Sequence, residues 1–425
     1  MRKLRSFQPA GRPRPRHERP YYILYAIVLI ASMVFTTRAV MSGRDSDPGP
    51  LALAGHSVPP AWLSFQASAS AQETLGDWLG EHSPQPLDPV SRNQIRHAED
   101  QLSGFLSNTA GQNSFPGLAL GIYRDGIPIY ERSRGIDLNA PQQLASVTKT
   151  FTAIAILQLA ERGLLGLDDE VSRYYPELEM SRNPLGGRPV TIRHLLNQNS
   201  GMPYGSARGQ TVRTETGRYY SVVTQIVPAG QSFMYSNYNY YLLGAILERV
   251  TGRSYPEYIR EEIFDVAGMS QSRVSEQANG ASGVSSSVTD LSRFFVALIG
   301  RSGEPRLRRL IGDDSLAEIA AVPEHIHELT PDIQYYGLGM RVQYRHGEVS
   351  ELFHTGIWYN IFAEIRIFPH ERSALIHLAN PPQFRHPTVV GYRWQSATLA
   401  ATYVKLVDTL LFRSSNSEIE ASSDI

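Results

Sequence analysis

After residue 89, hydrophobic runs with strand-like alternation stand at both ends of the chain, and helical periodicity lies between them. The runs 117–123 and 127–132 flank an Asp-Gly pair, which is typical of a β-hairpin turn. Later strands are predicted at 336–344, 351–358, 361–368 and 373–379. Helices are predicted at 88–105, 144–163, 191–196, 239–250, 256–266 and 288–299. This order favours a mixed α/β (α+β) domain with an antiparallel sheet.

The N-terminal segment shows a different pattern. Seven arginine and lysine residues stand against the single acid Glu18 in residues 1–20, and the uncharged apolar run 21–37 follows. As a helix this run would rise about 25 Å, which is short but sufficient for a membrane span. The basic flank predicts a single-pass anchor with the N-terminus cytoplasmic and the remainder extracytoplasmic. A cleaved signal peptide is the alternative, although it expects small residues after the apolar run, where Thr-Arg-Ala-Val-Met stands.

Residues 38–89 are rich in Pro, Ser, Ala and Gly and lack periodicity, so they are interpreted as an extended linker. The tail 413–425 is polar. A formal net charge of −1 gives no basic excess, which argues against a nucleic-acid partner. The absence of cysteine excludes thiolate nucleophiles and sulfur-based zinc sites.

One candidate for chemistry is Ser146-Val147-Thr148-Lys149, which opens the helix predicted at 144–163. Residues three apart share a helix face, so the Lys149 amine can reach the Ser146 hydroxyl. Lysine acts as the base for a serine nucleophile when burial lowers its pKa. The chain holds only three lysines, and the apolar residues that follow Lys149 favour burial. A lysine on a solvated helix would be the structural alternative.

Two further segments carry compatible groups. In Tyr235-Ser236-Asn237 the phenol can relay a proton to a leaving group, and the amide can bind a substrate carbonyl and the lysine. In His354-Thr355-Gly356 the glycine would let a substrate lie against the strand. The N–H of Ile357 could then join that of Ser146 as an oxyanion hole. Each segment alone is also compatible with ordinary packing.

In this order the three segments match the Ser-x-x-Lys, Ser/Tyr-x-Asn and Lys/His-Thr-Gly signature. Over roughly residues 91–412 the chain resembles the serine β-lactamase and penicillin-binding protein superfamily. It is most similar to the branch with class C β-lactamases, D-alanyl-D-alanine carboxypeptidases and related esterases. The segments Leu195 to Met202, Gly283 to Ser287 and Tyr336 to Gly339 support this resemblance.

The resemblance implies a β-lactamase/transpeptidase-like catalytic domain at 90–412, with an antiparallel sheet, flanking helices and a helical subdomain. It implies that Ser146 is acylated, that Lys149 and Tyr235 share the proton transfers, and that Asn237, His354 and Thr355 bind substrate. Lysine is usual at position 354 in true β-lactamases, so His354 favours a peptidase or esterase. No metal or organic cofactor is expected.

Arg341 precedes His354 by thirteen residues on the strand expected to pair with it. Its guanidinium could bind a substrate carboxylate in bidentate fashion, or it could be an exposed strand arginine. The expected substrate is a D-amino-acid peptide, a β-lactam or a small ester or amide. A catalytically silent relative that uses the cleft for binding or scaffolding is the alternative function.

Overall fold

The computed structural model describes residues 100, 117–204, 209–300, 308–327, 330, 332–345, 347–359 and 361–380. The predicted basic segment 1–20, anchor 21–37, linker 38–89 and tail 413–425 lie outside these residues, as does the helix predicted at 88–105 apart from residue 100. Within the described ranges, no helix combines the length and apolar character needed to cross a bilayer.

A seven-stranded antiparallel sheet forms one layer of the domain. The strands are β1 (Gly117–Arg124), β2 (Ile127–Arg134), β8 (Asp332–Tyr336), β9 (Arg341–Arg345), β10 (Glu348–Trp358), β11 (Ile361–Phe368) and β12 (Ser373–Asn380). Their order in the sheet is β2-β1-β12-β11-β10-β9-β8, so β1 and β12, from the two ends of the described chain, lie side by side. This sheet confirms the predicted fold class.

The first hairpin forms as the sequence predicts. Asp125 and Gly126 both adopt positive φ, 53° and 77°, and they turn β1 into β2. A two-residue turn of this kind matches the twist of the flanking strands, and Asp-Gly tolerates it at low cost.

Helices and small sheets occupy the chain between β2 and β8. The helices are α1 (Thr148–Glu161), α2 (Ile192–Leu196), α3 (Asn237–Thr251), α4 (Tyr255–Ile259), α5 (Asp265–Ala267), α6 (Val288–Ile299) and α7 (Asp313–Ile319), with a π-helical turn at Arg260–Phe264. The short strands are β3 (Gln142–Gln143), β4 (Gly209–Arg213), β5 (Tyr219–Val223), β6 (Arg273–Val274) and β7 (Val284–Ser286). The sequence pattern predicted the longer helices but none of these short strands.

The helix α1 lies inside the core. Its residues from Thr148 to Leu159 are all buried, so it has no solvated face along this length. A helix that is buried on every side requires other elements around it. The lysine in its first turn is therefore enclosed by protein.

The strand predicted at 336–344 is wrong as a single element. The chain reverses at residues 337–340, so that Tyr336 ends β8 and Arg341 begins β9 as its register partner. A Cβ on Gly337 would lie 2.0 Å from the carbonyl oxygen of Ile319, and Gly339 has a φ of +81°. Only glycine suits this close approach and conformation, and the apolar alternation of the sequence conceals the turn.

Candidate active site

The Ser146 turn lies between the sheet and the start of α1. Residues Ala145–Val147 form a 3₁₀ turn that continues into the helix, and Ala145 before the serine has a φ of 45°. Strand β7 holds the turn, because Leu144 N donates to the Val284 carbonyl at 2.9 Å and Val284 N donates to Thr148 Oγ1 at 3.2 Å. These bonds hold the turn that carries the Ser146 hydroxyl at the start of the helix.

The Lys149 side chain is fully buried and reaches three acceptors. Its Nζ lies 3.3 Å from Ser146 Oγ, 2.7 Å from Asn237 Oδ1 and 3.2 Å from the Ala281 carbonyl oxygen. No acidic side chain among the described residues forms an ion pair with it. Burial without a compensating carboxylate disfavours the ammonium form and lowers the pKa of Lys149 to about 7. A substantial fraction of this amine is therefore neutral near pH 7.

Tyr235 lies on the other side of the serine. Its ring centroid lies 5.0 Å from Lys149 Nζ. Burial raises the pKa of Tyr235 to about 12, although the neighbouring Ser146 hydroxyl and the charge of Arg341 oppose this rise. The phenol therefore keeps its proton near neutral pH, whereas the lysine can lose its own.

Gln198 positions the Tyr235-Ser236-Asn237 segment, a role that the sequence did not predict. Its Oε1 accepts from Ser236 N at 2.9 Å and from Asn239 Nδ2 at 2.6 Å. Gln198 is itself fully buried with a φ of 62°, and its carbonyl accepts from Met234 N. The resemblance of the Leu195 to Met202 segment to a family motif was the available signal.

Ser236 begins α3 at this point. Its hydroxyl accepts from Tyr238 N at 3.3 Å, which caps the helix, and donates to the Pro203 carbonyl at 2.9 Å. Asn237 is thereby placed in the first turn of α3 with its amide oxygen on Lys149.

The His354 ring is occupied by the protein itself. Its Nδ1 lies 2.8 Å from the Thr355 carbonyl oxygen, which can only accept, so Nδ1 donates. Burial, with the charges of Lys149 and Arg341, holds the pKa of His354 well below its ordinary value, so the ring is neutral. Nε2 then accepts from the Tyr336 hydroxyl at 3.0 Å. Direct substrate binding by the His354 ring, as expected above, would require one of these bonds to break.

Tyr336 connects this histidine to the catalytic tyrosine candidate. Its buried ring meets Tyr235 edge to face at 6.1 Å between centroids, and Arg341 lies 5.9 Å from its centre. The sequence singled out Tyr336 only as part of a strand. Its position makes it the link between the predicted residues Tyr235, Arg341 and His354.

Gly356 brings the third segment against the serine turn. A Cβ at this position would lie 2.0 Å from the Leu144 carbonyl oxygen and 3.2 Å from Ser146 N. The glycine is therefore required by the approach of the protein's own backbone, in addition to any approach of a substrate. The ladder between β9 and β10 ends at the Arg341–Phe353 pair, so residues 354–358 pair only with β11 among the described strands.

All nine residues predicted for the site lie in or beside one region. Ser146, Lys149 and Asn237 are joined by hydrogen bonds, and the ring of Tyr235 lies beside them, 5.0 Å from Lys149 Nζ. Thr355, Gly356 and Ile357 lie on the adjacent part of β10, while His354 and Arg341 meet at Tyr336. Among the described residues, no group of acidic or histidine side chains has the arrangement of a metal site.

Comparison with known proteins gives a consistent picture. A family model described as Beta-lactamase matches residues 95–395, more than half of the chain. Protein flp of Staphylococcus aureus (strain MRSA252) is 32% identical over 177 residues, which cover 38% of this chain and 35% of flp. The chain thus spans about a third of the length of the curated relatives it matches.

Two solved structures share the fold. The octameric penicillin-binding protein homologue from Pyrococcus abyssi matches with a TM-score of 0.55 and 22% identity, over 75% of this chain and 79% of that chain. A class C beta-lactamase mutant matches with a TM-score of 0.57 and 18% identity, over 74% of this chain and 99% of that chain. The predicted superfamily and fold are confirmed.

Replacing Gln198 with leucine should destabilise the protein by removing the hydrogen bonds that hold Ser236 and Asn239. The variant leaves two buried donors, Ser236 N–H and the Asn239 amide, without their acceptor, at about 1–3 kcal/mol each. We expect the free energy of unfolding, measured by urea titration, to fall by about 2–4 kcal/mol. Gln210→Leu is the control, since Gln210 also accepts a backbone N–H, from Glu179 at 2.7 Å, but at an exposed position. Equal losses in both variants would contradict this assignment.

Proposed function

Because this chain belongs to the beta-lactamase family, we propose that it is a serine hydrolase that forms an acyl-enzyme on Ser146. The observation that carries the proposal is the buried Lys149 amine, 3.3 Å from the serine oxygen and without a carboxylate partner among the described residues. We further propose that its substrates carry a carboxylate, as peptides ending in a D-amino acid and β-lactams do.

Acylation follows from the protonation states. The neutral Lys149 amine takes the proton of Ser146 as Oγ bonds to the substrate carbonyl carbon. The Asn237 amide oxygen, 2.7 Å from Nζ, stabilises the ammonium that forms. The lysine thereby acts as the base, and the phenol of Tyr235, with its raised pKa, stays protonated.

Collapse of the tetrahedral intermediate needs a proton at the leaving group. Tyr235 lies close to Ser146 and Lys149, so it can donate its proton to the departing nitrogen or oxygen and recover one from the lysine. The bond between carbonyl carbon and leaving group breaks, and the acyl group stays on Ser146. In the second step, water attacks the acyl carbonyl carbon and gives up a proton to the base. The bond to Ser146 Oγ then breaks, Oγ regains its proton, and the acid is released.

The oxyanion would be held by backbone donors. Gly356 is packed against the serine turn, which supports a site formed by the N–H groups of Ser146 and Ile357. Each donor of this kind contributes about a hundredfold or more in rate. The Thr355 side chain, on the same stretch of β10, is proposed to contact the substrate.

Arg341 supports the preference for a carboxylate. It lies partly buried on β9, in register with Phe353, and forms no ion pair with an acid of the described chain. Its charge acts on both Tyr235 and His354, which supports a position near the leaving group that Tyr235 would protonate. A C-terminal carboxylate of the leaving amino acid would meet the guanidinium there.

The predicted membrane anchor at 21–37 adds a proposal about the compartment in which the hydrolase domain acts. If residues 21–37 span a membrane with the N-terminus inside, the hydrolase domain faces the periplasm or cell exterior. Peptides with D-amino acids occur in the bacterial cell wall, so the two proposals agree with each other.

Labelling tests the nucleophile. We expect a fluorescent penicillin or a fluorophosphonate to attach covalently to Ser146, as detected by mass spectrometry of the labelled peptide. Ser146→Ala should lose the label, whereas Ser172→Ala should keep it because that hydroxyl is exposed and bonds only Glu170 in the described chain. If neither reagent modifies Ser146, the hydrolase proposal fails, and a catalytically silent protein that uses the cleft for binding or scaffolding becomes the better hypothesis.

The rate of Ser146 acylation should depend on pH through Lys149. Protonated lysine cannot accept the serine proton, so the rate should rise with pH to a plateau, with a midpoint at about 7. Stopped-flow acylation by an activated ester between pH 5 and 9 measures this limb. Tyr235→Phe should lower the plateau and retain the midpoint. A midpoint near the ordinary lysine value would show that the amine is not the buried base described here.

Removal of the Arg341 guanidinium should act on one substrate class. For peptides with a free C-terminal carboxylate, Arg341→Ala should lower kcat/KM by about 10–100-fold through the loss of a charge-assisted bond. The corresponding C-terminal amides should be affected little. Arg345→Ala is the matched control on β9, because Arg345 pairs with Glu351 at 3.3 Å. Equal effects on acid and amide substrates would refute the carboxylate role.

A further inference from the structure

The end of β10 exposes three consecutive large hydrophobic side chains beside the site. Ile357 is 42% exposed, Trp358 57% and Tyr359 80%. The rings of Trp358 and Tyr359 meet edge to face with centroids 5.0 Å apart. Large aromatic side chains are costly to leave in water, and a contiguous exposed group of them is typical of a binding surface.

Trp358 lies on the face of the sheet that carries Ser146. Side chains alternate along a strand, so Trp358 shares a face with His354 and Gly356. Gly356 is the position whose Cβ would touch Ser146 N, and Trp358 stands two residues farther on, about 7 Å along the strand. The indole therefore follows, on the same face of β10, the glycine that packs against the serine turn.

Tyr359 occupies a backbone conformation that disfavours it. Tyr359 directly follows Trp358, the last residue of β10, and has a φ of 45°. Asn, Asp or Gly normally fills such a position. A bulky residue held in left-handed conformation is strained, and strain of this kind concentrates at functional positions.

The site distinguishes the two sides of a substrate carbonyl. Tyr235, Tyr336 and Arg341 cluster toward the start of the open part of β10, at Phe353 and His354, and mark the leaving-group side. The proposed oxyanion donor Ile357 follows. If the leaving group lies on that side, as in the proposed function, the acyl portion extends in the other direction, past Ile357 toward Trp358.

We propose that Trp358 and Tyr359 form an acyl-group subsite that selects substrates whose acyl portion is a large apolar or aromatic group. The inference rests on the proposed function, because it assumes an acyl-enzyme on Ser146. The cross-strand neighbour of Trp358 is Ile361, so this face offers apolar contact without a charged partner opposite the indole. A small or strongly polar acyl group would leave it uncovered.

An ester series with one leaving group tests the subsite. The wild-type chain should hydrolyse p-nitrophenyl octanoate and phenylacetate with a kcat/KM roughly tenfold or more above that for the acetate, since apolar contacts of this size discriminate by that order. Trp358→Ala should remove most of this preference, mainly by raising the KM for the octanoate and the phenylacetate. Ile127→Ala is the control, because Ile127 is similarly exposed but lies on β2 at the far edge of the sheet.

Tyr359→Asn separates a substrate-binding role from a structural one. Asparagine suits the left-handed turn, so the melting temperature should stay equal or rise by roughly 2–5 °C, while the preference for octanoate falls. If p-nitrophenyl acetate acylates Ser146 but neither variant alters the acyl preference, the subsite is refuted and the hydrolase proposal stands. If no ester and no covalent label modifies Ser146 in the wild type, both proposals are refuted.

Discussion

The arrangement of this site depends on the burial of one amine. Lys149 stands in the first turn of a helix enclosed by the core, with the Ser146 hydroxyl, the Asn237 amide and the Ala281 carbonyl as its polar contacts. An ammonium ion there would lack a counterion among the described residues, so the protein favours the neutral base. The same burial that lowers the pKa of the lysine raises that of Tyr235, and the two groups are thereby set for opposite proton-transfer roles.

The polar side chains around this amine hold neighbouring residues in position. Gln198 holds Ser236 and Asn239, and the Tyr336 hydroxyl is held by a neutral His354. A lysine at position 354 would add a second cation near Tyr235, and the histidine does not. The positive charge in the site therefore comes from Lys149 when protonated and from Arg341, which is consistent with a phenol that acts as an acid.

Local patterns predicted much of this structure. The Asp125-Gly126 turn, the alternation of β10 to β12 and the periodicity of α3 and α6 each depend on neighbours close in the sequence, and they formed as expected. The sequence pattern did not predict the reversal at 337–340, because the glycines there are required by close contacts with Ile319 and Ala153, which are distant along the chain. The role of Gln198 was missed for the same reason, since both of its partners come from another segment.

The sequence by itself determined which chemical groups are available: a serine and lysine three residues apart, a tyrosine and asparagine two apart, and a His-Thr-Gly triplet, in an order that identifies the family. Helical and strand periods made those spacings meaningful before any contact was known. The tertiary structure alone decided how the groups behave. Burial, which no single segment controls, sets the pKa values of Lys149, Tyr235 and His354. The start of β9 at Arg341 decides which part of β10 is left without a partner on that side. These are properties of packing between distant segments, and spacing along the chain does not contain them.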